Sequence, residues 1–245
     1  MVLHQAKRKK MFQAGRIVGL CREYLAGLIK PGVTGEELDR KAEEFILREG
    51  GLPAFKGYRG FPAAICVSPN EVVIHGIPGD YILSEGDVVG IDLGVEKEGF
   101  FADGAGTFPV GKISPEKERL LTVTKAALTA AVNCIRPGVV VDDVSRTVEI
   151  LVTGAGFAVV KSFCGHGIGQ FLHQKPEIPN FVSGNQFRFY PGLGLAIEPM
   201  VNYKEGEVRV LSDGWTVVTV DGCPSAHFEE TVIVSDDGCE VVTRL

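Results

Sequence analysis

The 245-residue sequence lacks the short motifs that mark several large enzyme classes. It contains neither Gly-x-x-x-x-Gly-Lys-Ser/Thr nor Gly-x-Gly-x-x-Gly, which argues against nucleotide chemistry. Gly-x-Ser-x-Gly and His-Glu-x-x-His are also missing, which argues against a serine hydrolase of that type and against a common zinc peptidase. No apolar run approaches the roughly 18 residues that a membrane span needs. We therefore expect a protein without a membrane-spanning segment.

Cysteine is scarce and irregularly spaced. The six cysteines form no Cys-x-x-Cys pair and stand at positions 21, 66, 134, 164, 223 and 239. A chain of this length can form a stable core without disulfide bonds. The pattern therefore predicts reduced thiols in a cytoplasmic protein. The 25 basic residues are outnumbered by 31 acidic ones, which argues against nucleic-acid binding as the main function. The one basic cluster, residues 7–10, is typical of a solvent-exposed helix start. The alternative is that it binds RNA, for instance at a ribosome surface.

The order of predicted elements indicates an α+β domain. Helical spacing of apolar residues runs over residues 11–29, and a second helix begins after Thr34, with Glu37 completing a capping box. Short β segments follow over residues 63–67, 71–75, 88–94 and 100–108. Two further helices are predicted from Ser114 to about residue 135 and over residues 142–153, and the remainder is β-rich. We predict one domain over residues 1–245.

Three blocks of sequence repeat at one offset of 106 positions. Residues 30–33 match 136–139, residues 36–40 match 142–146, and residues 86–92 match 192–198. The offset predicts an internal duplication, with copies over about residues 9–108 and 115–234, and two pseudo-symmetric halves of helix, helix and strands. Asp92 and Glu198 occupy equivalent places, so each half offers one carboxylate to a site on the pseudo-twofold axis.

Acidic residues stand at the ends of apolar strands. Asp92 ends one such strand, where a charge is costly unless it is paired or liganded. If the following turn is centred between Lys97 and Glu98, Asp103 lies directly opposite Asp92 in a hairpin. Two aspartates in that arrangement repel each other unless a cation lies between them or one takes a proton.

Histidines in glycine-flanked contexts join this candidate cluster. His166 lies in Cys-Gly-His-Gly-Ile-Gly, His173 follows seven residues later, and His75 ends a predicted strand. With Asp92, Asp103, Glu198 and Glu229, the cluster has four carboxylates and one to three imidazoles. This donor set suits divalent ions that share bridging carboxylates, so metal-assisted hydrolysis is the leading reaction class.

The ordered blocks NEVVIHGIP, IDLG, FFADGAGTF, CGHGIGQFLH, AIEPMV and HFEET resemble the signature blocks of type I methionine aminopeptidases. The resemblance extends from about residue 11 to 234. It implies the pita-bread fold, in which two pseudo-symmetric halves surround a central antiparallel sheet. It also implies removal of the initiator methionine from nascent polypeptide N-termini with a small second residue, by a hydroxide activated at two divalent ions. Mn, Fe, Co and Zn all suit such ligands.

The same resemblance implies roles for individual residues. The metal ligands would be Asp92, Asp103, His166, Glu198 and Glu229, with Asp103 and Glu229 bridging the ions. His75 and His173 would contact the scissile amide, and Glu198 would also move a proton to the leaving amine. The methionine pocket would be lined by Tyr58, Phe61, Cys66 and Trp215.

Some positions differ from the family pattern. Leu172 stands where many relatives have Phe, so we expect the pocket edge to differ. Phe61 stands where Tyr is frequent, and Gly94 and Ala196 replace a common Thr near the ligands, which puts hydrogen bonds behind the ligands in doubt.

Two alternatives keep the fold and change the function. One is a proline-directed peptidase of the aminopeptidase P or prolidase group, which shares the five ligands but usually adds an N-terminal domain for which this chain has no room. The other is a non-catalytic pita-bread protein that binds peptides, ribosomes or chromatin; such relatives typically lose ligands that are all present here. For the enzyme we expect a monomer with no specific nucleic-acid partner.

Overall fold

The computed structural model describes residues 5–245. Within them the helices are α1 (Gln5–Ala26), α2 (Gly35–Arg48), α3 (Pro115–Cys134) and α4 (Val141–Gly154). The strands are β1 (Leu52–Pro53), β2 (Ile65–Pro69), β3 (Val72–Ile74), β4 (Val88–Lys97), β5 (Phe100–Pro109), β6 (Ala158–Val159), β7 (Cys164–Gly167), β8 (Gln174–Pro179), β9 (Gly194–Ile197), β10 (Met200–Asn202), β11 (Val208–Val210), β12 (Val217–Thr219), β13 (Ser225–His227), β14 (Glu230–Val234) and β15 (Cys239–Val241).

Helix starts follow the capping residues in the sequence. The Thr34 hydroxyl accepts a hydrogen bond from the Glu37 N–H at 3.1 Å, and the Ser114 hydroxyl accepts one from the Lys117 N–H at 3.3 Å. Each bond satisfies one of the free N–H groups at a helix start. The first helix differs from its prediction, because it begins at Gln5 and ends at Ala26, just before Gly27.

Two antiparallel sheets meet at the centre of the molecule. In the first, β4 pairs with β5 along one edge and with β1 and β2 along the other. The second has the order β15-β14-β9-β7-β8. Mutual backbone hydrogen bonds between Ala105 and Glu229, at 3.0 and 3.3 Å, join β5 to the start of β14. This junction brings the carboxylates of the two halves together.

Each half has its own helical layer and apolar core. One core lies between α1, α2 and the β4–β5 hairpin and includes Met11, Leu38 and Ile91. The other lies between α3, α4 and the second sheet and includes Leu120 and Leu195. The side chains of both cores are buried, and each core packs against the sheet of its own half.

Equivalent backbone contacts recur in the two halves. Thr34 forms an isolated bridge with Ile82, and Val140, 106 positions later, forms one with Arg188. The neighbouring hydrogen bond from the Gly32 N–H to Leu83 also recurs, between Gly138 and Phe189. We propose on these contacts that residues 9–108 and 115–234 are two copies within one catalytic domain. Among residues 5–245, no helix is long and apolar enough to cross a membrane.

Candidate metal centre

The turn between β4 and β5 differs from the predicted one. Lys97 pairs with Phe100, so the turn is Glu98-Gly99 rather than a turn centred before Glu98. Both turn residues have positive φ, 49° and 76°, as a two-residue hairpin of type I′ requires. The glycine supplies one of these conformations without strain.

This register makes Asp92 and Asp103 diagonal neighbours rather than direct partners. Asp92 lies opposite Ala105, and Asp103 lies opposite Gly94. The predicted direct pairing is therefore wrong by two positions. A shift of two keeps both side chains on the predicted face of the sheet, because side chains alternate with period 2. Both aspartates line the same cavity.

The second half contributes the remaining donors. Glu198 directly follows β9, Glu229 directly precedes β14, and His166 lies on β7. The His166 Nε2 atom is 3.6 Å from Asp103 Oδ2 and 3.5 Å from Glu198 Oε1. One ligand atom from each of Asp103, His166 and Glu229 lies within 4.8 Å of the others. The structure thus brings all five predicted ligands to one cavity, which Asp92 completes.

Hydrogen bonds hold these side chains in orientation. His166 Nδ1 lies 2.9 Å from the Gly167 carbonyl oxygen, to which it donates, so Nε2 carries the lone pair that faces the carboxylates. The Thr231 hydroxyl lies 3.1 Å from Asp103 Oδ1 and accepts from the Asp103 N–H at 3.0 Å. The Asn180 amide donates to the Glu198 carbonyl at 3.0 Å.

Burial shifts the ionisation of the cluster. It raises the pKa of Asp92, Glu198 and Glu229 well above the usual range, and repulsion from Asp103 raises these pKa values further. Burial also lowers the pKa of His166 to about 4, so the imidazole is neutral near pH 7. When these crowded carboxylates ionise beside a neutral imidazole, they repel one another unless a cation lies between them.

A bound divalent cation would relieve this repulsion. Asp92 Oδ1 is buried and has no hydrogen-bond partner, which is costly for a carboxylate oxygen. The donors are carboxylate oxygens and one imidazole nitrogen, which suit divalent first-row metals.

Two further histidines, His75 and His173, line the cavity beside the cluster. His75 has φ of 56°, a conformation rare for a residue with a side chain, and burial lowers its pKa to about 4. The His173 ring lies 4.2 Å from that of His166, measured between centroids. The Tyr58 hydroxyl lies 3.0 Å from His173 Nδ1, and the Tyr58 and His173 rings are stacked. The second nitrogen of His173, Nε2, is not used in this hydrogen bond.

The cluster lies in a cavity of about 510 Å³ with an apolar wall. Phe61 and Trp215 meet edge to face at 5.1 Å between ring centroids, and buried Cys66 lies opposite Asp92 across β2 and β4. Every predicted site residue lines this cavity. The sequence prediction missed other lining residues: Phe55, Arg59, Cys164, Gln174, Lys175 and Glu177.

Some of the missed residues carried a signal in the sequence. Cys164 stands two positions before His166 on β7, so the period of a strand places both on one face. Phe55 lies in a loop and could not be found from periodicity. Its ring packs against both the core of the first half and the Phe61–Cys66 wall.

The structure locates three of the departures from the family pattern, Leu172, Gly94 and Ala196. Leu172 is buried in the core of the first half and does not line the cavity, so it gives no evidence for an altered pocket edge. A Cβ atom at Gly94 would lie 2.6 Å from the Phe55 ring, so glycine makes room for that ring. Ala196 lies between His166 and Thr231 in the sheet, and its methyl group offers neither a hydrogen bond.

The fold and the donor set define a metallopeptidase. Residues 9–236 match the model of metallopeptidase family M24, and the chain belongs to that family. Its members use divalent metal ions, which agrees with the cluster.

More particular similarity is to methionine aminopeptidases. The chain is 45% identical over 236 residues to "Methionine aminopeptidase 1" of Bacillus subtilis, across 96% of this chain and 95% of that protein. The crystal structure of a methionine aminopeptidase from Thermotoga maritima matches with a TM-score of 0.98 at 37% identity, over 100% and 99% of the two chains. A prolidase from Pyrococcus furiosus shares the fold alone, with a TM-score of 0.83 at 19% identity over 65% of its length. The pita-bread fold and the family predicted from the sequence are confirmed.

Proposed function

We propose that this chain removes the initiator methionine from the N-termini of nascent proteins and peptides with a small second residue. The observation that carries the proposal is the convergence of Asp103, His166 and Glu229 beside an apolar pocket. The high identity to proteins named methionine aminopeptidase supports the same reaction.

The five ligands would hold two divalent ions. Asp103 and Glu229 would be the carboxylates shared by the two ions, and Asp92, His166 and Glu198 would supply the remaining ligand atoms. The central place of Asp103 supports its shared role, since its carboxylate lies near His166 and repels Asp92, Glu198 and Glu229. Bound ions would polarise the scissile carbonyl and supply hydroxide near neutral pH.

The protein's own groups orient the substrate and move protons. Glu198, whose carboxylate lies 3.5 Å from His166 Nε2 in the cavity, would pass a proton to the leaving amine. His173 and His75 would donate to or accept from the scissile amide, and Tyr58 holds the His173 ring in place. Phe61, Cys66 and Trp215 would enclose the methionine side chain, whose flexible thioether suits an apolar wall with aromatic rings.

We also propose the cellular setting. The six cysteines are free thiols, typical of a reducing compartment such as the cytoplasm. We expect a monomer. We also propose a transient ribosome contact through the basic cluster of residues 7–10, in which Arg8 and Lys10 also pair with Glu240 and Glu98 of the chain itself.

The test is peptide hydrolysis by metal-stripped protein before and after addition of Mn²⁺ or Co²⁺. We expect methionine release from Met-Ala-Ser only with metal, and little release from Met-Trp-Ser. Release from Met-Trp-Ser at an equal rate would refute the requirement for a small second residue. Cleavage of Ala-Pro-Ala would move the protein to the proline-directed group. Failure to cleave any peptide, with no metal bound in calorimetry, would support the non-catalytic alternative.

A further inference from the structure

A buried arginine lies behind the metal centre, at the junction of the two sheets. Arg22, on α1, has a side chain that is 16% exposed. Its Nη1 atom donates to the Glu229 carbonyl oxygen at 3.1 Å and approaches the Ala105 carbonyl oxygen at 3.5 Å. These two carbonyls are the ones that exchange hydrogen bonds between β5 and the start of β14. The guanidinium therefore contacts the backbone of both strands from the side of the junction that faces α1.

The other end of the guanidinium is held by a second set of contacts. Nη2 lies 3.3 Å from Glu230 Oε1 and donates to the Thr243 carbonyl at 3.2 Å. The Glu230 carboxylate is 8% exposed, accepts a hydrogen bond from the Thr243 hydroxyl, and lies 3.6 Å from Arg244 Nε. Both ends of the planar fork are thus fixed, as arginine geometry allows and lysine geometry does not.

The strand above the arginine is shaped to admit it. Gly104 lies between Asp103 and Ala105 on β5, and a Cβ atom there would lie 3.1 Å from Arg22 Nη1. A side chain at this position would force the guanidinium to shift by a few tenths of an ångström. The close approach places a fixed cation directly behind the strand that carries Asp103.

We propose that Arg22 is a positioning residue for the metal centre, which sets the spacing of the Asp103 and Glu229 carboxylates across the two halves. The inference rests on the proposed function of these carboxylates as metal ligands. Their ligand atoms lie within 4.8 Å of one another, so a small slip between β5 and β14 would spoil the site. From α1, the Arg22 side chain reaches the backbone carbonyls of both strands at this point.

The experiment compares Mn²⁺ affinity with stability in the full-length, metal-stripped protein. In the double variant Arg22→Met/Glu230→Met, apolar side chains replace the buried pair, a change that often leaves stability unaltered. We expect thermal unfolding without metal to stay near the wild-type temperature and the calorimetric Mn²⁺ dissociation constant to rise about tenfold or more. Arg22→Lys keeps the charge without the fork, and we expect an intermediate loss of affinity.

Arg8→Met is the matched control on the same helix, because it breaks a partly exposed ion pair with Glu240 far along the helix from the junction. It should leave Mn²⁺ affinity unchanged. Wild-type affinity in a folded double variant would overturn the proposal. If the double variant does not fold, Arg22→Lys decides: wild-type affinity in it overturns the proposal, and reduced affinity at unchanged stability supports it. Failure of the proposed function would appear instead in the wild-type protein, as absent methionine release.

Discussion

The clearest single test of the pocket wall is Gly94→Ala. The new Cβ atom would lie 2.6 Å from Phe55 Cε1 and 3.0 Å from Cδ1, whereas carbon atoms normally rest roughly 3.5–4.0 Å apart. The ring must therefore move by about 1 Å. Since Ala54 closes another side at 3.1 Å, the open direction is the cavity. Overpacking of this kind costs about 2 kcal/mol, which lowers the unfolding temperature by roughly 4–8 °C in a domain of this size.

The effect on activity follows from the same displacement. A Phe55 ring pushed into the cavity narrows the space for the methionine side chain. We expect the KM for Met-Ala-Ser to rise several-fold, while the metal ligands keep their positions and kcat changes little. Steady-state kinetics with saturating Mn²⁺ and thermal unfolding of the same preparations provide both measurements.

A double-mutant cycle tests whether contact with the Phe55 ring causes the cost of Gly94→Ala. In a Phe55→Ala background the clash is absent, so Gly94→Ala should cost little there, with a coupling of about 1–3 kcal/mol between the two positions. If Gly94→Ala lowers the free energy of unfolding equally in both backgrounds, the Phe55 ring is not the reason that glycine is required at this position. Gly90→Ala is the matched control on β4, because its nearest contact would be an ordinary 3.4 Å from the Ser68 Cβ.

Three further predictions concern the ligands and their support. Asp103→Asn should abolish methionine release while the fold stays intact, because an amide cannot bridge two cations; near-normal turnover with excess Mn²⁺ would reject the bridging role. Because burial raises the carboxylate pKa values, protonated acids favour the metal-free fold at low pH, and this stabilisation is lost as the pH rises through them. Bound Mn²⁺ replaces those protons, so its addition should raise the unfolding temperature more at pH 7.5 than at pH 5.5; an equal or larger rise at pH 5.5 would contradict the assignment. Tyr58→Phe removes the 3.0 Å hydrogen bond to His173 and should lower kcat about three- to tenfold; an effect confined to KM would limit Tyr58 to the pocket wall.

Sequence periodicity predicted the elements that carry the ligands better than it predicted their alignment. The strands around Asp92 and Asp103 were expected at nearly their observed bounds. Their register was wrong because a turn at Glu98-Gly99 and one centred a residue earlier differ only in backbone conformation. Since the error was two positions, the shared face of the two aspartates was still predicted.

Contacts between distant loops could not be predicted in this way. The Phe55 position depends on a glycine on β4, and the Arg22 contacts with Glu229, Glu230 and Thr243 join residues more than 200 positions apart. Neither pattern has a period that local sequence reveals. The family resemblance supplied the pocket residues Tyr58 and Trp215, but it held no information on how this chain fills the space behind them.

The Arg22–Thr243 contact also bears on how the chain reaches its native state. Its partners are 221 residues apart, so the loop that it closes spans nearly all of the described chain. Contacts of such long range form late in folding, because the entropy of loop closure must be lost before they are gained. During synthesis, α1 leaves the ribosome long before Glu230 and Thr243 exist. Helix α1 can pack on β4 and β5 much earlier, but its arginine lacks its partners Glu229, Glu230 and Thr243 until nearly the whole chain has been translated.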